Sequence, residues 1–289
     1  MNHLERKAMM RRLIAVLVAV MTVCGMAVAD NAEVPELKRA ILMTYYGTSD
    51  DSIRAISIDT MTRRVKESFP DIEVREAYTS RAAANALRRR TGIHKPLFVQ
   101  AMRQLEADGY NSVTVCCGEL IEGQAARIIE REVEELRPLF FEIKTTTPLF
   151  YSVEDCRQAL RPIIAAVGAK EDEQVVLVGH GRDGAYNDVY CLIDYILQHE
   201  GHANFHVGTI SGYPTFENVR QTLRLTGTGK VVLVPLIMIQ AGHATKDIYK
   251  TWREALEADG YSVRVVRKGV REYEDIQQLI IDKLRTAIP

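Results

Sequence analysis

The sequence predicts an α/β protein of two similar lobes, each a small parallel sheet flanked by helices, with the active site in the cleft between the lobes. The string LEADGY occurs twice, at residues 105–110 and 256–261, and each time a helical pattern ends at the glycine before an apolar strand. Residues 36–50 and 173–184 each give a continuous apolar run that breaks into a glycine loop. Such runs are typical of parallel strands covered by helices on both faces. The shared string alone also fits ordinary helix-ending chemistry, but the matching order of elements favours a repeat.

The elements of each lobe follow from the alternation of apolar runs and helical periodicity. In the first lobe, residues 30–148, we expect strands at 39–45, 72–78, 112–117 and near 140–146, and helices at 52–67, 81–89, 96–108 and 123–136. In the second lobe, residues 149–289, we expect strands at 174–179, 204–210, 230–236 and 261–266, and helices at 187–199, 215–224, 244–258 and 273–287. Ligands of open parallel sheets bind beyond the carboxyl ends of the strands, so the loops there form the candidate site.

Residues 1–29 have the three parts of a secretory signal peptide: a basic start, an apolar run over residues 13–23, and the small-residue motif Ala27-Val28-Ala29. We expect cleavage after Ala29 and a periplasmic mature protein with no stable membrane insertion. The apolar run is too short to cross a hydrocarbon layer of about 30 Å as a helix, although an uncleaved anchor stays open. Cys24 follows Val23 instead of the small residue that lipoprotein processing favours, so lipid attachment is not expected.

The composition is that of an ordinary globular chain. Cleavage would remove four basic residues and one glutamate, which changes the net charge from −1 to −4. This balance is not the basic footprint of a nucleic-acid-binding protein, and about 260 residues can bury one large core or two smaller ones. Four cysteines remain after cleavage: Cys116, Cys117, Cys156 and Cys191. The first two lie in an apolar run and fit small buried side chains, while disulfide formation stays open.

His180 and His243 are the strongest candidates for chemistry. Each is next to a glycine at the exit of a strongly apolar run, so both would be presented at the carboxyl edge of the second sheet. Neutral imidazole is a common metal ligand and a base with a pKa near neutrality. One histidine at such a position is more often structural, but two in corresponding loops favour a metal or acid–base site. Asp183 follows His180 closely and could add an oxygen ligand, although acids at a helix start are also expected for capping.

Two other groups of residues allow both a functional and a structural interpretation. The string HEGHANFH, residues 199–206, is rich in ligand types but lacks the HExxH spacing that places two histidines on one helix face, so we expect structural or exposed side chains. Hydroxyl-rich turns precede two helices of the first lobe, and Arg81 suits a bidentate contact to a carboxylate. These turns supply a candidate substrate-binding set: Tyr46, Gly47, Thr48, Ser49, Ser80 and Arg81. Ordinary helix caps would give the same sequence pattern.

From about Lys38 to the C-terminus the chain resembles the anaerobic sirohydrochlorin cobaltochelatases, class II tetrapyrrole chelatases built from two similar α/β lobes. The first-lobe motifs are AILMTYYGTSD (40–50), SFPDIEVREAYTSRAAANALRRRTG (68–92) and AMRQLEADGYNSVTV (101–115). In the second lobe, the family's three active-site loops are matched by VVLVGHG (175–181), HVGTISGYP (206–214) and AGHATKD (241–247). The resemblance covers nearly the whole mature chain and implies a chelatase-like fold.

The resemblance implies that the protein inserts Co²⁺ into sirohydrochlorin, an early step of anaerobic cobalamin biosynthesis, without ATP. His180 and His243 would correspond to the family's two catalytic histidines, which hold the metal and accept the pyrrole protons. Histidines with pKa values near neutrality suit a site that must bind a divalent ion weakly enough to release it. Fe²⁺ and Ni²⁺ stay open as metals, and a homo-oligomeric state stays open too.

The chain departs from the family's pattern at the third metal ligand. The family usually has glutamate just before the Gly-Tyr-Pro of its second loop, where this chain has Ser211, and a serine hydroxyl is a poor substitute for a carboxylate toward a cation. Glu119, which stands where the family often has a histidine, Glu122 or Asp183 would be the substitutes. The alternative function is a non-catalytic periplasmic protein, derived from a chelatase, that binds or transports a tetrapyrrole such as haem or a metal ion.

Overall fold

The computed structural model describes residues 36–181, 187–240 and 246–288. Within these ranges the strands form two four-stranded parallel sheets, with the orders β2-β1-β3-β4 and β6-β5-β7-β8. The first sheet consists of β1 (Arg39–Tyr45), β2 (Glu73–Tyr78), β3 (Ser112–Cys116) and β4 (Glu142–Thr145), and the second of β5 (Gln174–Gly179), β6 (Phe205–Thr209), β7 (Lys230–Leu236) and β8 (Ser262–Val265). The second order repeats the first, which confirms the predicted α/β class with two similar lobes.

Nine helices of more than one turn accompany these strands in the described ranges. They are α1 (residues 51–68, with a π-helical stretch at Arg54–Asp59), α2 (Arg81–Thr91), α3 (Phe98–Ala107), α4 (Gln124–Leu136), α5 (Val153–Val167), α6 (Asp188–His199), α7 (Phe216–Thr226), α8 (residues 247–258, π-helical over Asp247–Trp252) and α9 (Glu274–Ala287). Short 3₁₀ turns cover Arg137–Leu139 and Val270–Glu272. Eight of these helices overlap the predicted ranges, whereas α5 is absent from the prediction.

The missed helix α5 has clear end signals. Ser152 accepts a hydrogen bond from the Asp155 amide, while the Asp155 carboxylate accepts one from the Ser152 amide, which is a reciprocal capping box. Gly168 ends the helix in a left-handed conformation. Pro162 lies inside the helix, where it removes one backbone donor and weakens the helical pattern.

Alternation along the strands divides the interior into three apolar layers. Ile41 and Met43 of β1 and Val175 of β5 point into one shared cluster between the two sheets, together with buried residues of α1, α5, α6 and α9. The opposite face of the first sheet packs on α3 and α4, and the opposite face of the second sheet packs on α7 and α8. Both sheets are therefore covered on both sides, which explains their continuous apolar strands.

The two LEADGY segments have the same local structure, as predicted. In each, the amide of the final tyrosine donates to the carbonyl of the leucine, from Tyr110 to Leu105 at 3.0 Å and from Tyr261 to Leu256 at 3.1 Å. The glycines between them have φ angles of 82° and 94°, the left-handed region that favours glycine. The repeat therefore marks equivalent helix-to-strand corners of the two lobes.

The last helix, α9, packs back on the first lobe. Arg64 of α1 donates to Gln277 Oε1 at 2.8 Å, and Lys283 Nζ donates to Thr147 Oγ1 at 2.8 Å and to the Pro148 carbonyl at 3.0 Å. The residues that follow the second sheet are thus part of the first lobe's packing. The predicted lobe boundary between residues 148 and 149 stays a prediction.

Four cysteines lie in the described ranges and all are free. Cys116, Cys117 and Cys156 are buried, and Cys191 is partly exposed. Burial raises the pKa of the Cys116 thiol to about 12, which leaves it protonated and unreactive at neutral pH. None of the helices in the described ranges has the length and apolarity needed to cross a membrane. The predicted signal peptide, residues 1–29, falls outside the described residues.

Candidate functional site

His180 follows the last residue of β5, a central strand of the second sheet, and its side chain is exposed. Neighbouring atoms lie so close to the residues on both sides of His180 that only glycine fits there. A side chain at Gly179 would lie 2.2 Å from the ring of Tyr190, and one at Gly181, where φ is +66°, would lie 1.8 Å from the Ser211 carbonyl oxygen. The motif VGHG therefore brings the strand end against α6 and the β6 exit and leaves the imidazole exposed.

Hydrogen bonds fix both the backbone and the ring of His180. The carbonyls of Gly179 and His180 accept from the amides of Ile210 and Ser211 at 3.0 and 2.9 Å. The ring Nδ1 lies 2.8 Å from the Gly181 carbonyl oxygen, which can only accept, so Nδ1 carries the proton. The lone pair is then on Nε2, which is the arrangement found for metal-binding histidines.

Tyr46 occupies the position in the first lobe that His180 occupies in the second. Each follows the last residue of a corresponding strand and precedes a glycine with positive φ. The carbonyls of Tyr45 and Tyr46 accept from the amides of Thr79 and Ser80 at 2.7 and 3.2 Å, as those of Gly179 and His180 do from the next strand's exit. Tyr46 is 59% exposed, so each lobe presents one exposed ring at the carboxyl edge of its sheet.

The remaining predicted residues of the first lobe divide into caps and free side chains. Thr48 is buried and its hydroxyl accepts from the Asp50 amide at 3.1 Å, while Ser80 caps α2 by accepting from the Ala83 amide at 3.2 Å. Ser49 accepts a long hydrogen bond from Arg90 at 3.5 Å. Arg81, the first residue of α2, is exposed. Ser80 is thus a helix cap, whereas Thr48 forms a turn with Asp50, and Asp50 is the residue that caps α1.

Glu119 is the most unusual carboxyl group at this edge. It lies three residues beyond β3, and its Oε1 is buried without a hydrogen-bond partner in the part of the chain that the structure describes. The Thr79 hydroxyl lies close enough to lower the pKa of Glu119, although it too has no hydrogen-bond partner among the described residues. Burial raises the pKa of Glu119, and the positive charge of Arg271 opposes that rise. A buried carboxyl oxygen without a partner is unusual in a folded protein, which makes Glu119 a functional candidate.

Arg271, a functional candidate that the sequence patterns do not reveal, connects the lobes. It is 2% exposed, donates from Nη2 to the Gly118 carbonyl at 2.7 Å, and lies 4.7 Å from the centre of the Tyr45 ring. Its own amide donates to the Met238 carbonyl just beyond β7 at 3.1 Å. These contacts join the exits of β3 and β7, so the carboxyl edges of the two sheets meet at Arg271. Gly118 and Arg271 are 153 residues apart, and no local pattern signals such a contact.

The other predicted ligands are placed as follows. Glu122 is exposed and its carboxylate is 3.1 Å from Arg127. Ser211 is exposed, and its backbone serves the contacts with His180 and Gly181. His243 and Asp183 lie outside the described residues. Across 36–181, 187–240 and 246–288 the structure brings no three histidine, cysteine, aspartate or glutamate side chains together as a metal site.

The histidine-rich string 199–206 is structural, as expected. His199 stacks on Tyr195, and Glu200 pairs with Arg157 at 2.6 Å. His206 is buried in β6, with Nε2 2.7 Å from Gln174 Oε1. The side chains point to different neighbours, because the helix ends within the string.

The chain matches one known protein family over almost all of the described residues. The family model for cobalt chelatase (CbiK) matches residues 39–289, which span both sheets and all nine helices. The chain belongs to the cobalt chelatase (CbiK) family. Its relatives include the sirohydrochlorin cobaltochelatase of Salmonella typhimurium, which is 29% identical over 259 residues that cover 87% of this chain and 97% of that protein.

A second CbiK relative and one solved structure support the same fold. Sirohydrochlorin cobaltochelatase CbiKC of Nitratidesulfovibrio vulgaris is 28% identical over 266 residues, covering 88% of this chain and 92% of the relative. The structure of SirB from Bacillus subtilis with Fe³⁺ superposes with a TM-score of 0.65 at 14% identity, covering 87% of this chain and 96% of SirB. The two-lobed architecture is thus that of known chelatases.

Proposed function

We propose that this protein is a sirohydrochlorin cobaltochelatase, which exchanges the two pyrrole N–H protons of sirohydrochlorin for Co²⁺. The observation that carries the proposal is His180: an exposed imidazole at a central strand end, with its proton held on Nδ1 by Gly181 and Nε2 open. Family membership over residues 39–289 and the names of the two relatives supply the substrate.

The reaction needs only groups of this kind. Metal insertion releases two protons and changes no oxidation state, so no redox partner is required. Independence of ATP is part of the proposal, as the resemblance to class II chelatases implies. In the proposal His180 and His243 hold Co²⁺ through their ring nitrogens and then take up pyrrole protons as the metal leaves for the ring. Co²⁺ accepts imidazole and carboxylate ligands, so a nearby carboxylate would complete a weak, exchangeable site. Fe²⁺ and Ni²⁺ have similar ligand preferences and are competing metals in the test.

Among the described residues, Glu119 is the best substitute for the carboxylate that is missing at Ser211. Its Oε1 is buried and has no partner among the described residues, whereas Glu122 is exposed and paired with Arg127. Glu119 also lies at the β3 exit, which Arg271 joins to the β7 exit that leads toward His243. We therefore propose Glu119 as the oxygen donor or proton acceptor of this site.

The test is an assay of Co²⁺ insertion into sirohydrochlorin by the wild type and by His180→Ala, His243→Ala and Glu119→Gln. Loss of a metal-binding or proton-accepting group should lower kcat by about 100-fold or more. His199→Ala is the matched control, since His199 stacks on Tyr195 at the surface and should retain full activity. Insertion that is undiminished in both His180→Ala and His243→Ala contradicts the site.

A carrier is the second candidate, and Ser211 is the observation that favours it, because a serine hydroxyl binds a divalent ion weakly. A protein that has lost turnover would bind one tetrapyrrole per chain without inserting cobalt. Absence of insertion by the wild type, together with stoichiometric tetrapyrrole binding, would favour this candidate. A Soret band in the freshly purified protein would point to haem or another bound tetrapyrrole.

We also propose that the protein is exported to the periplasm. The support is the n-region, apolar run and Ala-Val-Ala motif of residues 1–29. The mature protein recovered from the periplasm should begin at Asp30 when its N-terminus is sequenced. A cytoplasmic product that retains residue 1 would contradict export.

A further inference from the structure

Helix α2 stands at the carboxyl edge of the first sheet and does not cross to the next strand. The chain leaves β2 through Ser80, which caps α2, and returns to the same strand end after the helix: the Tyr78 amide donates to the Pro96 carbonyl at 2.9 Å, and Tyr78 forms a parallel bridge with Leu97. The crossover to β3 is made by α3 instead. The segments before and after α2 are therefore both held at the edge that carries Tyr46 and Glu119.

The exposed face of α2 is strongly basic. Arg81 and Arg88 are seven residues apart, which is about two helical turns, so they share a face, and Arg89 lies beside them. All three are exposed, and their side chains make no ion pair or hydrogen bond within the described ranges. The helix contains no acidic residue. Its buried face, Ala84 and Leu87, packs into the shared core and fixes which side faces the solvent.

Helix stability explains only part of this charge. Arg88 and Arg89 lie in the last turn, where cations favour the helix dipole. Arg81 is the first residue of the helix, where the dipole is unfavourable to a cation, so its charge is not explained by the helix. Arg90 already contacts Ser49 and lies near Asp50, which leaves the other three arginines open to a partner.

We propose that Arg81, Arg88 and Arg89 of α2 bind the peripheral carboxylates of the macrocycle while its centre faces His180 and Tyr46. This inference rests on the proposed function, since it assumes a substrate of the sirohydrochlorin type, in which every pyrrole-derived ring carries acidic side chains. Guanidinium groups match carboxylates in bidentate geometry and remain charged at every physiological pH. A chain with a net negative charge needs such a local basic surface to attract a polyanion.

The experiment measures binding without metal, by fluorescence titration of the purified protein with uroporphyrin, whose ring carries two acidic side chains per pyrrole. Arg81→Gln and the double variant Arg88→Gln/Arg89→Gln should each raise the Kd, by about three- to tenfold per arginine removed. Rising NaCl should weaken wild-type binding more steeply than binding by the variants, since fewer charge pairs remain to be screened. Coproporphyrin, which has half as many carboxylates, should discriminate less between wild type and variants.

Two controls separate this effect from net charge and from misfolding. Lys66→Gln/Arg103→Gln removes the same number of exposed charges from α1 and α3, and should leave the Kd within about twofold. Arg88→Lys/Arg89→Lys keeps the charge without the fork geometry and should restore part of the affinity. A Kd that is equally raised in the control, or unchanged in the α2 variants, overturns the proposal.

The outcome is independent of turnover. Uroporphyrin binding that depends on α2, in a protein that inserts no cobalt, would support the α2 surface and reject the chelatase function. Cobalt insertion with an unchanged KM for sirohydrochlorin in the α2 variants would reject the α2 surface and keep the chelatase function. A raised KM with an unchanged kcat would support both.

Discussion

Arg271 shows how much of the site depends on a single buried side chain. Its guanidinium contacts the Gly118 carbonyl and the Tyr45 ring, and the Glu119 carboxyl interacts with it electrostatically. Burial lowers the pKa of Arg271 and raises the pKa of Glu119, and the charge of each group opposes the shift of the other. The two residues connect the β7 exit with the β3 exit and belong to different lobes.

We expect Arg271→Met to lower the free energy of unfolding by about 3 to 5 kcal/mol, because it leaves a buried carboxyl without its compensating charge. In a Glu119→Gln background the same substitution should cost clearly less, since no buried charge is then abandoned. Urea unfolding of the wild type, both single variants and the double variant gives the coupling energy directly. Equal costs of Arg271→Met in the two backgrounds would show that the pair is not coupled.

At the residue scale, sequence patterns predict which side chains are exposed at the ends of strands. They do not predict contacts between segments that are far apart in the chain. His180 is predictable because an apolar run, a glycine and a histidine follow one another. Thr48 and Ser80 are ambiguous in sequence, since caps, turns and anion sites use the same hydroxyl residues. Their hydrogen bonds show that Ser80 caps α2 and that Thr48 forms a turn before the cap of α1. Arg271 and the unpartnered oxygen of Glu119 depend on contacts across the lobes, which no local pattern contains.

At the scale of single elements, β6 carries a buried histidine whose role is structural. His206 Nε2–H donates to Gln174 Oε1, and its Nδ1 accepts from Gln198 at 3.3 Å, so the neutral ring satisfies both neighbours. Burial lowers the pKa of His206 to about 4. Protonation would place a second N–H opposite the Gln198 amide, which explains why this histidine resists charging.

The depressed pKa makes the stability of the protein depend on pH in a defined direction. A histidine in the unfolded chain has a pKa of about 6.5, so above that pH the ring is neutral in both states and the folded protein keeps its full stability. As the pH falls from there toward about 4, the unfolded chain binds a proton that the folded protein does not, and the free energy of unfolding decreases. Between about pH 7 and about pH 5 we expect this histidine alone to cost about 2 kcal/mol of unfolding free energy. His206→Gln should flatten that part of the pH profile, measured by urea unfolding. His202→Gln, at a half-buried neighbouring loop position, is the control, and an identical profile in wild type and His206→Gln would contradict the assignment.

The elements themselves were largely predictable because they follow from local patterns. All eight strands are found within two residues of their predicted ends, since continuous apolar runs are unambiguous in doubly covered parallel sheets. Helix α5 was missed although Ser152 and Asp155 form a capping box, because Pro162 interrupts its pattern. The π-helical stretches of α1 and α8 have no sequence signature of their own.

At the scale of the whole molecule, the two sheets share one core. The cluster between them includes Ile41 of β1, Val175 of β5, Ile163 of α5 and Ile281 of α9. Internal repetition in the sequence predicts two lobes, but not that the last helix of the chain packs on the first lobe. Because α9 contributes to the shared core and contacts both α1 and α5, it takes part in the packing of both halves of the chain.

Ile281→Ala tests this shared core. Ile281 is 1% exposed, so its truncation should remove about 2 to 5 kcal/mol from the free energy of unfolding by leaving a cavity. If the core is common to both lobes, calorimetry should show one transition in the wild type and one transition at a lower Tm in the variant, because the two sheets unfold together. Leu225→Ala is the control, since Leu225 is 87% exposed and its truncation should change stability by less than about 0.5 kcal/mol. Two separate transitions, of which Ile281→Ala shifts only one, would mean that the lobes fold independently and that α9 serves a single lobe.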